Sequence, residues 1–229
     1  MTGALFHDRE NAGRQLAARL LDYQADFPVV LALPRGGVPV AAPIAKALRA
    51  PLDLVLVRKL GAPHNPELAI GAVAGTAGAP QWFLHDELIR HLAVPEDYIR
   101  RAAERELAVI DRRRRDYVGD RAPVPLEGRV VIIVDDGIAT GATAGLALRI
   151  VRQAKPSGVV LAAPVAPPSA LGRLRDLYDR AVCVMTPEDF SGVGQFYEDF
   201  RQTTDAEVVC LLRGAVPDDG LKGGHAKPR

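Results

Sequence analysis

Aromatic side chains are scarce, only 5% of the 229-residue chain, and cysteines number just two. So few cysteines exclude a disulfide framework. Cys183 and Cys210 sit in the apolar runs VCVM and VVCLL and are expected to be core thiols of a reducing compartment. Charge of one sign is also missing, since 29 basic residues against 28 acidic ones leave a net charge of +1. That balance argues against nucleic acid or a membrane surface as partner. No uninterrupted apolar stretch is long enough to span a bilayer. The opening MTGALFHDRENAGRQ has no apolar signal-peptide core, so a cytoplasmic protein is expected. What is plentiful is apolar residues, 48% of the chain, enough to bury a sizeable core in one large domain.

Short apolar runs alternate with helical patterns. Ala12, Leu16, Ala17, Leu20 and Leu21 share one face of a first helix, with Asp8 placed to cap it. VVLAL (29–33) reads as a buried strand broken by PRGG, and Val40, Ala41, Ile44, Ala45 and Leu48 make the next helical face. LDLVLVRKL (52–60) reads as one strand and GAPHNPE (61–67) as a loop. LAIGAVAG and QWFL are expected to pair as a hairpin around Thr76–Pro80. Helices are expected to start at Asp86 and Pro95, the second running to Tyr117 with an apolar stripe through Ile99, Ala103, Leu107 and Ile110. Its basic run DRRRRDY (111–117) reads as a solvated face, except that Arg114 falls on the stripe and calls for an acid partner or a subunit interface. EGRVVIIV, GVVLAAPVA (158–166), AVCVM (181–185) and VVCLL (208–212) read as further strands. Helices burying Leu146, Ala147, Ile150 and Val151, and then Leu171, Leu174 and Leu177, fall between the first three of these.

This alternation predicts an α/β fold with a mostly parallel central sheet and helices on both faces. Residues 1–213 are expected to form a single domain, and 214–229, rich in Gly, Pro and charge, a disordered tail. Ligands of such sheets collect at the carboxyl ends of the strands. Three strands here end in chemically loaded segments: PRGG, RKLG and DDGIATGAT.

The stretch VVIIVDDGIATGAT carries the most information. Gly137–Thr143 lies between a buried strand and a helix N-terminus, where unpaired amides and the helix dipole favour an anion. Gly137 and Gly141 allow close backbone approach, and Thr140 and Thr143 add hydroxyl donors. The loop has no lysine, so it is not the GxxxxGK[ST] loop of nucleotide hydrolases, nor is it GxGxxG. Asp135 and Asp136 would repel a phosphate. Beside one, they suit vicinal hydroxyls as charge-assisted acceptors, or a hydrated divalent cation held through water. Phosphate next to a diol indicates a ribose 5-phosphate.

The same stretch resembles the phosphoribosyl pyrophosphate motif of the type I phosphoribosyltransferases: apolar strand, two acids, short loop, T-G-x-T. The resemblance implies that fold, with a small hood formed by chain-terminal segments, at about residues 186–205 here. It implies that Asp135 and Asp136 hold the ribose hydroxyls and that Gly137, Ala139, Thr140, Gly141, Ala142 and Thr143 wrap the 5-phosphate. ALPRGG lies where the family places its pyrophosphate loop, so Arg35 and the amides of Gly36 and Gly37 are the expected pyrophosphate contacts. VRKLG resembles the strand end whose basic residue neutralises the leaving pyrophosphate, which makes Arg58 or Lys59 the expected catalytic cation. The segment from Gly61 to about Pro80 corresponds to the flexible loop that closes over the site.

The implied activity is transfer of ribose 5-phosphate from phosphoribosyl pyrophosphate to a nucleobase or other small nitrogen acceptor. Magnesium would be bound mainly through the substrate, with no protein metal ligands, and the expected assembly is a homodimer. Ala139 stands where 6-oxopurine enzymes carry an acid, and VVLAAPVAPP (159–168) lacks their base-reading lysine, so the acceptor stays open. TPEDFSGVGQFYEDFRQ (186–202) loosely resembles an aromatic hood, offering Phe190, Phe196 or Tyr197 to stack on a base. The competing reading is a non-catalytic sensor of the phosphoribosyl ligand using the same pocket. A regulator of transcription would need a DNA-binding domain or a broad basic face, and a sensor has no use for Arg58 and Lys59 aimed at a leaving group.

Overall fold

The computed structural model describes residues 6–76 and 79–214. In chain order the elements are α1 (Arg9–Ala18), β1 (Val29–Ala32), α2 (Gly37–Leu48), β2 (Leu52–Leu54), β3 (Leu56–Ala62), β4 (Asn65–Thr76), β5 (Ala79–Leu84), α3 (Asp86–His91), α4 (Glu96–Val118), β6 (Val130–Val134), α5 (Ala142–Gln153), β7 (Gly158–Val165), α6 (Pro168–Leu174), β8 (Arg180–Met185) and α7 (Asp205–Gly214). Five of the strands form a sheet in the order β2-β1-β6-β7-β8, every pairing parallel. The other three form a separate antiparallel sheet, β3-β4-β5. The expected α/β architecture with its parallel centre is what is found.

Alternation along the central strands sorts the core onto two faces. Val30, Ala32, Ile132, Val134, Val160 and Ala162 point toward α1, α2, α4 and α7. Val29, Leu31, Val131, Ile133, Val159 and Leu161 point toward α5 and α6. Because both faces are covered, the strands read as continuous apolar runs rather than as alternating ones. The register sets Ala32 beside Val134 and Val134 beside Ala162, so β1 and β6 end level while β7 runs on to Val165. From β1 the sheet continues to β2 on one side, and from β6 to β7 and β8 on the other. The switch point therefore lies between β1 and β6, the crevice where such sheets take their ligands.

Several sequence expectations are corrected. VVCLL is not a strand but part of α7. A short apolar run cannot distinguish a strand from a buried helix, and here the helix start decides. Thr204 and Glu207 form a reciprocal capping box, Glu207 N–H to Thr204 Oγ1 at 3.2 Å and Thr204 N–H to Glu207 Oε2 at 2.7 Å. The helix buries Val208 and Leu212, and leaves Cys210 exposed rather than in the core. Cys183 is half-buried, and burial pushes its thiol up to about 11. LDLVLVRKL is two strands in different sheets, because β2 ends at Leu54 and β3 leaves at Leu56. GAPHNPE is not a loop: β3 runs through Ala62 and β4 starts at Asn65, with His64 in the left-handed region at φ 63°. Gly61 to Pro80 thus belongs largely to the antiparallel sheet. LAIGAVAG and QWFL do pair, Ala72 opposite Phe83 and Val73 opposite Trp82. Residues 77–78 of that hairpin and the proposed tail from 215 lie outside the described residues.

Asp8 caps α1, its Oδ1 accepting from Asn11 N–H at 2.7 Å. The acid partner of Arg114 is Asp53 in β2, only 2% exposed, gripped by both arms of the guanidinium at 3.0 and 3.1 Å. No helix among the described residues is long and apolar enough to cross a membrane.

Candidate active site

The loops leaving β1 and β6 are packed against each other at the switch point. Leu33 N–H donates to Val134 O at 2.9 Å, and Asp135 N–H to Ala162 O at 3.2 Å, so both acids emerge from the centre of the sheet. The Pro34–Arg35 peptide is cis. Gly36 and Gly37 are required by proximity: a Cβ at Gly36 would lie 2.1 Å from Asp136 Oδ2, and one at Gly37 would lie 2.6 Å from Val134 O. The structure thus brings the PRGG loop and the acid pair into direct contact. Gly36→Ala is expected to cost about 1–3 kcal/mol in urea unfolding by overpacking. In an Asp136→Ala background that cost should largely vanish, because the clash is with the carboxylate.

Asp135 is half-buried. Desolvation first, and the neighbouring Asp136 charge second, raise its carboxyl well above the ordinary range. Asp136 N–H donates to Asp135 Oδ1 at 2.9 Å, which tightens the turn. Asp136 itself is held from two sides. Arg9 Nε donates to its Oδ2 at 2.7 Å, and Tyr197 O–H donates to its backbone carbonyl at 2.6 Å. Burial, then the Asp136 charge, pushes the Tyr197 phenol far up, so it remains a donor.

The following loop has the geometry of an anion cradle. Gly137 and Ile138 are buried, and Ile138 N–H is tied to Val165 O at 2.9 Å, whereas Ala139, Thr140, Ala142 and Thr143 are exposed. Gly141 sits at φ 79°, which a side chain would oppose, and α5 starts immediately after it with no acid in its first turn. Thr140 Oγ1 accepts from Ala142 N–H at 3.3 Å, and Arg173 Nη2 donates to Thr140 O at 3.1 Å.

The remaining sequence candidates are placed as follows. Arg35, beside the acid loop, has Nη1 3.6 Å from Asp205 Oδ1 at the start of α7, and Tyr117 O–H donates to that oxygen at 2.7 Å. Arg58 donates from Nε to Glu106 Oε2 of α4 at 2.7 Å, and Lys59 is exposed on β3. Phe196 and Tyr197 are buried with Phe6, Ala12 and Val165, and Phe190 packs beside them, 5.6 Å from the Phe196 ring. This cluster joins the chain's first segment to the stretch after β8, as expected of a hood. It uses the Phe196 and Tyr197 rings as packing, and gives Tyr197 a hydrogen bond to the acid loop instead of an open stacking face. Arg9 and Arg173 were missed by sequence reasoning. For Arg9 no local signal was available, because only the fold brings its partner to it.

Chemically, the site sets two carboxylates between a glycine loop and a helix N-terminus. Among the described residues, no group of three or more His, Cys, Asp or Glu side chains could hold a metal ion. Comparison with known proteins points the same way as this geometry. Two Mycobacterium tuberculosis strains, CDC 1551 and H37Rv, have provisionally named phosphoribosyl transferases that are 45% identical to it over 214 residues, covering 93% of this chain. The chain spans about half, 48%, of the length of these relatives. The crystal structure of TT1426 from Thermus thermophilus superposes with a TM-score of 0.81 at 42% identity, covering 93% of this chain and 99% of that one. Residues 3–201 match the model of the phosphoribosyl transferase domain, and the chain belongs to that family.

Proposed function

We infer that the chain transfers ribose 5-phosphate from phosphoribosyl pyrophosphate to a small nitrogen acceptor, a nucleobase or an amine, and releases pyrophosphate. The observation that carries this reading is the contact between the Gly36–Gly37 loop and the acid pair, directly ahead of the α5 cradle. Phosphate in the cradle, hydroxyls on Asp135 and Asp136, and pyrophosphate along Arg35, Gly36 and Gly37 together span one phosphoribosyl pyrophosphate. The C1–O bond to pyrophosphate breaks with its electron pair leaving on the pyrophosphate. The acceptor nitrogen forms the new C1–N bond and loses its proton.

The protein's part is positioning and charge. Arg58 and Lys59, beyond the end of β2, supply positive charge to the leaving group, Arg58 by exchanging Glu106 for pyrophosphate oxygens. The Asp135 and Asp136 carboxylates would suit a magnesium ion held by substrate oxygens and water. When bound, that ion neutralises charge developing on the pyrophosphate.

Titration calorimetry with magnesium and phosphoribosyl pyrophosphate tests the cradle, and a panel of nucleobases and amines assayed for pyrophosphate release tests the transfer. Magnesium-dependent binding followed by release with at least one acceptor is expected. Absence of binding overturns the substrate, and binding without release across the panel favours a sensor.

A further inference from the structure

Arg9 is the first residue of α1, and 127 positions separate it from the acid it touches. Its side chain is only 11% exposed. Three of its contacts hold the guanidinium: Nε to Asp136 Oδ2 at 2.7 Å, Nη1 to Arg201 O at 2.7 Å, and its face on the Phe200 ring, 4.0 Å to the centroid. A largely buried arginine held at Nε, at Nη1 and on its face fixes the geometry of its partner more than it adds to stability.

We propose that Arg9 is a positioning residue for ribose recognition, locking one oxygen of Asp136 so that the other is presented to a sugar hydroxyl. The inference rests on the assignment of Asp135 and Asp136 to the ribose. The Asp136 carboxylate lies between three walls. Gly36 closes one side, where a Cβ would come within 2.1 Å of Oδ2 and 3.1 Å of Oδ1. Arg9 takes Oδ2 from α1, and Tyr197 holds the backbone carbonyl from the hood. Among the described residues, the charged and titratable groups bonded to Asp136 are Asp135 from its own loop, Arg9 from α1 and Tyr197 from the hood. Arg9 is the cation among them, and offsets the repulsion between the adjacent acids. Through Arg201 O and Phe200 the same guanidinium ties the hood to the acid loop, so movement of the hood is felt at the ribose site.

The test compares wild type with Arg9→Met and Arg9→Lys, using ribose 5-phosphate and inorganic phosphate as probes in titration calorimetry across pH. Arg9→Met is expected to weaken ribose 5-phosphate by about tenfold or more, the share of a charge-assisted hydrogen bond, and to leave inorganic phosphate within about twofold. It is also expected to move the acid limb of ribose 5-phosphate binding to higher pH, because Asp135, whose carboxyl the Arg9 charge lowers, then holds its proton more tightly. Arg9→Lys, which keeps the charge and the packed stem, is expected to retain the wild-type acid limb while recovering only part of the affinity. Equal losses for both probes would mean a collapsed cradle and a merely structural arginine, and an unchanged affinity and pH limb would overturn the proposal outright. Should Arg9→Met fail to fold, Arg9→Lys decides alone through its limb and its partial affinity. A wild type that binds phosphate but not ribose 5-phosphate would overturn the ribose assignment itself, and the role of Arg9 with it.

Discussion

Converting both acids to amides, Asp135→Asn with Asp136→Asn, is expected to weaken magnesium-dependent binding of phosphoribosyl pyrophosphate by about 100-fold or more. Each carboxylate offers a hydroxyl a charge-assisted bond of about 1.5–3 kcal/mol, and about 1.4 kcal/mol is a factor of ten, so losing two such bonds gives at least that factor. Calorimetry reads the loss directly, and binding within tenfold of wild type would remove the acids from the site. The single variant Asp135→Asn separates function from stability. Burial and the Asp136 charge raise the Asp135 carboxyl well above its ordinary value, so the folded protein holds this proton more tightly than the unfolded chain does. Between the unfolded value, about 3.9, and the raised folded value, stability therefore falls as pH rises, and above that window the whole cost is present. Asp135→Asn removes the cost. It is expected to raise the urea midpoint at neutral pH, to flatten the fall of stability through that window, and to lose ligand affinity at the same time. A lowered midpoint would mean that the charge is compensated in the folded state.

How far the sequence led depended on whether the deciding contact was local. The acid pair, the glycine and threonine loop and the start of α5 occupy one contiguous stretch, so residue type and spacing were enough to expect a strand, a turn and a helix there. PRGG could be read as a glycine turn ahead of a helix, but its contact with Asp136 comes from the pairing of β1 with β6 and needs the fold. Arg9 is the clearest omission. Nothing near it in the chain announces a carboxylate, and its partner arrives only when α1 crosses the end of the sheet. The VVCLL error was avoidable, since the T-x-x-E box of Thr204 and Glu207 stands just ahead of it. The split between β2 and β3 had no such signal. Val55 is apolar, buried and strand-compatible, and the change of sheet follows from where β3 finds β4. The same split sets the surroundings of Arg58, which meets Glu106 of α4. The aromatic segment after β8 reaches the acid loop through Tyr197, but whether its rings face outward or one another depends on Phe6 and Phe200, which close onto Tyr197 at 5.2 and 5.0 Å.

The largest effect on stability is expected from Arg114, visible in the sequence as a charge on an apolar stripe. Arg114→Met should destabilise the fold by about 3 kcal/mol or more, because removing one partner of a buried pair strands the other charge. Asp53 is 2% exposed in a strand of the central sheet and cannot turn to water. Its remaining partners are Leu54 N–H at 2.9 Å, Val124 N–H at 3.0 Å and Arg121 Nη2 at 3.4 Å, and none reproduces the two-armed grip. Arg114→Lys should recover little, since one ammonium cannot satisfy both oxygens in the geometry of the fork. The pair is largely shielded from solvent, so its contribution should change little with salt, unlike the exposed Arg14–Glu10 pair on α1. Combining Asp53→Leu with Arg114→Met should recover part of the loss, because the stranded charge is gone. Urea unfolding of the three variants at low and high salt measures each step. A loss below about 1 kcal/mol for Arg114→Met would place the pair among exposed ion pairs. The consequence reaches the site as well. Arg114 of α4 anchors β2, the strand that delivers the chain into β3 with Arg58 and Lys59, so on the proposed function a loosened β2 should weaken phosphoribosyl pyrophosphate and spare inorganic phosphate, which the loop ahead of α5 would hold.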